Sequence, residues 1–189
     1  MMSIDTLKSQ MPDYAKDTKL NLGKLISGDE VDGLNASQAY GVALASAYAT
    51  KYDAVVEAVS AQVRDTLSAE EVQAAKAAAT IMGMNNIYYR FVHLVSDKDY
   101  QTMPAGLRMN IIGNPGIDKV DFELMSLAVS AINGCGMCID AHVNEVAKGG
   151  VSKQGVQSTI KIAAVLNAAA QALVIEASAS SEAEASQAA

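Results

Sequence analysis

The segment 122–143, FELMSLAVSAINGCGMCIDAHV, constrains this chain more than any other. It holds both cysteines, Cys135 and Cys138, and one of the two histidines, His142, with a single acid, Glu123, inside its apolar first half. On a helix advancing about 100° per residue, Cys135, Cys138 and His142 fall at roughly 0°, 300° and 340°, one narrow face. Residues three or four apart have Cβ atoms about 5–6 Å apart. That is within reach of a disulfide, whose Cα atoms usually lie about 4.4–6.8 Å apart. The same spacing puts the His142 imidazole one turn from the Cys138 thiol, where it can share or take that proton.

Glu123 cannot reach this face on a continuous helix. It precedes Cys135 by twelve positions and His142 by nineteen, which is about 18 Å and about 28 Å of helix. For the carboxylate to join, the helix must break and fold back. Asn133-Gly134 supplies the break, since both residues tolerate left-handed backbone angles and end helices. The expectation is one helix over 118–133 and another over 135–148. Cys135 would lie in the first turn of the second, where the macrodipole and free N–H groups favour a thiolate, and would be the better exposed of the two thiols.

The remainder reads as helical scaffold. Alanine dominates, aromatic residues make up only 5%, and Gly or Pro falls mainly between periodic apolar runs, so the fold class expected is all-α. About eight helices form a single domain over 1–177. A short helix spans 3–10, and Pro12 opens an amphipathic one with Tyr14, Leu20, Leu22 and Leu25 available for burial. An acidic loop follows over 28–33, then a small-residue helix over 35–51 and a valine-lined one over 53–67. Ser68 and Glu71 match a capping box that opens a helix over 69–94. A polar loop spans 96–104, and Pro104 starts a short helix through 110. Gly149-Gly150 ends the second site helix, and Ser152 caps a last helix to about 177. The small, polar, acidic stretch 178–189 is expected to be a disordered tail.

The formal net charge of −7 argues against nucleic-acid or anionic-membrane partners. No N-terminal segment resembles a signal peptide, and no run is read as long enough to span a bilayer. A reducing, cytoplasmic setting is therefore expected. There a Cys-x-x-Cys is more often catalytic or metal-binding than a staple, and a disulfide across so short a loop removes little chain entropy.

Three readings of the cluster stay open on spacing alone. One takes the cysteines as packing residues that pair by chance, a reading that a histidine on the same face makes harder to sustain. They could bind zinc with His142 and either Glu123 or His93, although structural zinc sites usually draw a second ligand pair from a separate hairpin or loop, and none is visible. Or they perform thiol redox chemistry. A free thiol is only about 3% thiolate at pH 7, so a cysteine nucleophile needs help. His142 can supply it to Cys138, Glu123 can orient the imidazole, and Cys135 can resolve a sulfenic acid on Cys138 to a disulfide. This single mechanism uses all four polar residues. Met82 and Met84 read as core or subunit-contact residues, His93 as a helix-end or interface histidine, and Asn85 and Asn86 as hydrogen-bonding across a helix pair.

The sequence resembles the alkyl hydroperoxidase D family of the carboxymuconolactone decarboxylase-like superfamily. The likeness runs from SIDTLKSQMPDYAKDTKLNL through AAATIMGMNNIYYRF and GLRMNIIGNPG to the pattern Glu, eleven residues, Cys-x-x-Cys, three residues, His. The family's functional glutamate corresponds to Glu123, its cysteines to Cys135 and Cys138, and its histidine to His142. Where some relatives carry a further histidine between the cysteines, this chain has Met137.

The resemblance implies an all-α homotrimer that reduces organic hydroperoxides with its thiols and binds no haem, flavin or metal. It further implies dihydrolipoamide as electron donor, carried on a lipoylated acyltransferase and recharged by dihydrolipoamide dehydrogenase, with electrons also passed to a partner peroxiredoxin. A protein-disulfide redox adaptor with only incidental peroxidase activity is the alternative. A lactone decarboxylase, as elsewhere in the superfamily, has no need of a dithiol.

Overall fold

The computed structural model describes residues 2–26 and 31–187, with side chains described through 179. Among these residues there are nine α-helices and no strand beyond an isolated bridge between Val31 and Leu34. The helices are α1 (Ile4–Gln10), α2 (Lys16–Leu25), α3 (Ala36–Thr50), α4 (Asp53–Val63), α5 (Ala69–Leu94), α6 (Asn110–Gly113), α7 (Lys119–Asn133), α8 (Gly136–Lys148) and α9 (Lys153–Gln187). Two 3₁₀ turns, Asp13–Ala15 and Lys98–Gln101, lie between them.

Helix starts follow the local chemistry of the sequence. Ser68 and Glu71 form a reciprocal capping box, as do Asn35 and Gln38, each satisfying orphan backbone donors. Asp118 accepts from the Val120 N–H at 2.8 Å, and Ser152 from the Gly155 N–H at 3.1 Å.

The centre of the fold is α7, which packs against α3, α5, α8 and α9. Every residue from Phe122 to Ser130 is buried. A helix buried all round shows no amphipathic stripe. Its neighbour α3 presents Ala39, Gly41, Ala43, Ala45 and Ser46 to the interior, and these small side chains let the helix axes approach closely. At Gly41 a methyl group would collide with the tip of Met125 on α7. Phe122, Leu124, Leu127, Leu44, Ile162 and Leu166 are among the buried side chains at this junction, each contributing about 1.5–3 kcal/mol by leaving water.

The all-α architecture agrees with the sequence, and several local expectations are corrected. The helix expected over 104–110 is irregular chain followed by the one-turn α6, because Gly106 adopts φ 64° and turns the backbone out of a helical path. The polar loop expected over 96–104 contains a 3₁₀ turn, and α4 ends at Val63 rather than near 67. Tyr14 and Leu20, expected to be buried, are exposed; Tyr14 instead donates to Glu176 of α9 at 2.9 Å. Part of the acidic loop expected over 28–33 lies outside the described residues.

Helix α9 continues past the end expected near 177 to Gln187, through a stretch in which Ala and Glu alternate with Ser and no Gly or Pro interrupts the helix. Contrary to the sequence reading, its segment Lys153–Ala179 is long and apolar enough to cross a membrane by length and composition. Here it packs against α2, α3 and α7, with Ile162, Ala163, Leu166, Ala169 and Leu173 buried. That length and apolarity are what a core helix also needs.

Candidate active site

The candidate site is built at the turn between α7 and α8. Asn133 ends α7, Gly134 takes φ 69°, and its N–H donates to the Ala131 carbonyl. The Cys135 N–H then bonds the Ser130 carbonyl at 3.1 Å. This left-handed cap reverses the chain, so α8 runs back along α7. A 3.6 Å ion pair between Lys119 and Glu145 joins the outer ends of the hairpin, in an exposed place where such pairs contribute little.

The reversal places His142 of α8 beside Glu123 of α7 despite the nineteen positions between them, with Nδ1 and Oε2 2.6 Å apart. Both residues are buried, at 7% and 4% exposure. Short and buried, this contact fixes the ring plane and leaves Nε2 as the ring nitrogen free to exchange a proton. The carboxylate touches the imidazole directly.

Cys135 and Cys138 are joined as a disulfide with their Cα atoms 5.3 Å apart. Cys135 is the N-cap residue of α8, one step before its first turn, and is fully buried, whereas Cys138 is 7% exposed. The expected order of exposure is thus reversed. Cys135 sits in the inside corner of the α7–α8 turn, tied to Ser130, while Cys138 projects from the first turn of α8. Both sulfurs remain near that helix's N-terminus, where free N–H groups stabilise a thiolate.

Sequence reading missed one contributor. Met82 of α5, expected to be core or subunit contact, brings its sulfur to 3.3 Å from His142 Nε2. In this oxidised state the imidazole therefore spans Glu123 and Met82, and among the described residues no hydrogen bond joins it to either cysteine. Behind Met82, Asn86 donates to Ser130 Oγ at 2.9 Å and approaches the Met82 sulfur at 3.9 Å, while accepting from Asn133 Nδ2 at 2.9 Å. Arg90 donates to the Asn133 carbonyl at 2.6 Å. Asn86 thus bonds across the α5–α7 pair as its sequence position indicates, whereas Asn85 Oδ1 is buried without a partner. The only sequence signal for this wall is the polar and sulfur content of IMGMNN on an otherwise apolar helix.

His93 lies exposed in the last turn of α5, and no group of three His, Cys, Asp or Glu side chains converges among the described residues. A closed Cys-x-x-Cys backed by a buried carboxylate–imidazole pair can accept electrons, release a thiolate and supply or remove its proton.

Comparison with known proteins accords with this arrangement. Residues 98–179, which include α7, α8 and most of α9, match the carboxymuconolactone decarboxylase family. The chain is 58% identical to alkyl hydroperoxide reductase AhpD of Coxiella burnetii (strain Dugway 5J108-111) over 173 residues, 92% of this chain and 98% of that protein. It is 56% identical to the protein of that name from Hyphomonas neptunium, over 96% of this chain and 99% of the relative. For Brucella canis the identity is 55%, over 91% and 97%. With both sequences matched nearly end to end and the cysteines, histidine and glutamate brought to one site, the chain belongs to the AhpD family within the carboxymuconolactone decarboxylase-like superfamily.

Proposed function

We propose that this protein is a thiol-dependent alkyl hydroperoxide reductase that cycles Cys135 and Cys138 between dithiol and disulfide. The observation that carries the reading is the closed Cys135–Cys138 pair one helical turn from a buried Glu123–His142 dyad. In the oxidative half, His142 takes the Cys138 proton. The thiolate attacks the terminal peroxide oxygen, the O–O bond breaks, and the alkoxide recovers that proton as an alcohol. Cys135 then attacks the Cys138 sulfenic acid, and water leaves as the disulfide forms. Cys138 suits the attacking role because it is the more exposed sulfur.

In the reductive half, a dithiol donor attacks Cys138 and Cys135 departs as a thiolate at the α8 N-terminus. The donor's second thiol closes on its own first sulfur and expels Cys138, which takes a proton from His142. The donor in this reading is dihydrolipoamide on a lipoylated acyltransferase, recharged by dihydrolipoamide dehydrogenase. A partner peroxiredoxin is a second electron acceptor, and the working assembly is a homotrimer with no bound cofactor. Family membership supports these expectations.

The test is a thiol titration before and after one equivalent of an organic hydroperoxide, followed by dihydrolipoamide. Two thiols per chain should disappear and then return, and Cys138→Ser should abolish peroxide turnover. Thiols that remain after peroxide treatment would remove the reading. Faster turnover of an oxidised peroxiredoxin than of free hydroperoxide would instead identify a redox adaptor.

A further inference from the structure

We infer that Met82 is a positioning residue whose thioether holds the Nε2 proton of His142 while the cysteines are oxidised, keeping the acid for disulfide reduction loaded. The inference rests on the dithiol cycle proposed above and concerns a residue outside the Cys–Cys–His–Glu set.

A thioether sulfur has lone pairs and no hydrogen to give. A ring nitrogen 3.3 Å from it is therefore stabilised there when it carries hydrogen; a bare nitrogen would set one lone pair against another. At the opposite side of the ring, the 2.6 Å contact between Nδ1 and Oε2 encloses one proton, whichever atom owns it. The dyad accordingly holds two protons in the disulfide state. Burial agrees, because a dyad with one proton would carry a net negative charge in a site almost closed to water.

Met82 is well placed to hold this position. It is 2% exposed, on α5, a different helix from either dyad residue. Asn86 one turn along approaches the same sulfur and is itself tied to Ser130 and Asn133 of α7. The disulfide sulfurs have no negative charge and are poor acceptors, so without Met82 the Nε2 proton has no partner in the oxidised enzyme. Once the donor expels Cys138 as a thiolate, a far stronger acceptor exists one turn away on α8, and the proton moves from Nε2 to that sulfur. Electrons pass from donor dithiol to disulfide and the donor closes its own disulfide; one donor proton goes to the Cys135 thiol and the other leaves to water, so that Nε2 is bare in the dithiol state, free to take the Cys138 proton, and is reloaded from water once the disulfide has re-formed.

Met82→Leu conserves volume but removes the acceptor, a change that cores usually tolerate. Met82→Gln restores an acceptor through its carbonyl. Nitrogen-15 NMR of the oxidised protein, labelled at its two histidines, reads Nε2 protonation directly. Single-turnover reduction by dithiothreitol reads the acid. Nε2–H is expected in the wild type, lost in Met82→Leu and regained in Met82→Gln. Reduction should slow about fivefold in Met82→Leu, the equivalent of one neutral hydrogen bond, while peroxide attack on the reduced enzyme changes less than twofold.

An unchanged Nε2 signal together with unchanged reduction in Met82→Leu would overturn the inference. So would equal slowing of both half-reactions, the mark of a general packing defect. If hydroperoxide fails to oxidise the wild-type thiols while Nε2–H is still lost in Met82→Leu, the peroxidase reading fails and the role of Met82 stands.

Discussion

Replacing Glu123 by Gln keeps the size of the side chain and a carbonyl able to accept from His142 Nδ1, but removes the charge from a contact of 2.6 Å. With charge centres about 4 Å apart and an effective dielectric near 20, the raw attraction in the ionised pair is about 4 kcal/mol. Desolvation of two buried groups cancels part of it. What remains is comparable to a hydrogen bond to a charged group, about 1.5–3 kcal/mol. Gln sacrifices most of that, so the imidazole keeps one proton on Nδ1 and leaves Nε2 bare. At about 1.36 kcal/mol per decade, single-turnover reduction of the disulfide should slow about 10- to 100-fold. Fold stability should change by only about 1 kcal/mol, because His142 relieves the mismatch by discharging. The assay is stopped-flow reduction at neutral pH beside urea unfolding of the same sample. Reduction within threefold of wild type would show that the dyad supplies no proton to the departing sulfur.

Asn86→Ala should cost about 2–4 kcal/mol in urea unfolding, since it strands Ser130 Oγ in the interior and takes the partner from the half-buried Asn133 Nδ2 of α7; a loss below 1 kcal/mol would mean that water replaces the amide. Ser126 Oγ is buried with no partner, so Ser126→Ala is expected to stabilise the protein by about 1 kcal/mol, through relief of that hydroxyl and better helix propensity, and a destabilised variant would reveal a partner for it. The Ser37 hydroxyl donates to Glu71 and is the largest cause holding that carboxyl below its usual range. A lowered acid stabilises the fold above its unfolded-state value, and this stability is lost as pH falls through the folded one. Ser37→Ala should therefore destabilise at pH 7 by about 1 kcal/mol and progressively less as acid protonates Glu71; a pH-independent difference would point to packing.

Local chemistry explains which parts of this molecule were legible in its residues. The capping box at Ser68, the helix start at Asn35, the break at Gly134 and the absence of strand-forming runs are short-range matters of backbone donors and permitted angles. Glu123 could be connected with His142 because a carboxylate within an apolar run demands a partner, and the Gly134 cap permits a single way back. The one-turn α6, exposed Tyr14 and buried Cys135 obey contacts between distant segments, and no window of neighbouring residues reports those.

By itself, then, the sequence determined an all-helical chain and a Cys135, Cys138, His142 face with Glu123 folded back on it, since periodicity, capping and burial of charge act over a few residues. Tertiary structure alone decided which sulfur meets solvent and what stands on the far side of the imidazole. Met82 lies sixty positions from His142, and that approach arises only because α5 packs against both helices of the site hairpin. Helix packing angles and side-chain volumes set such encounters, and they are properties of the assembled core.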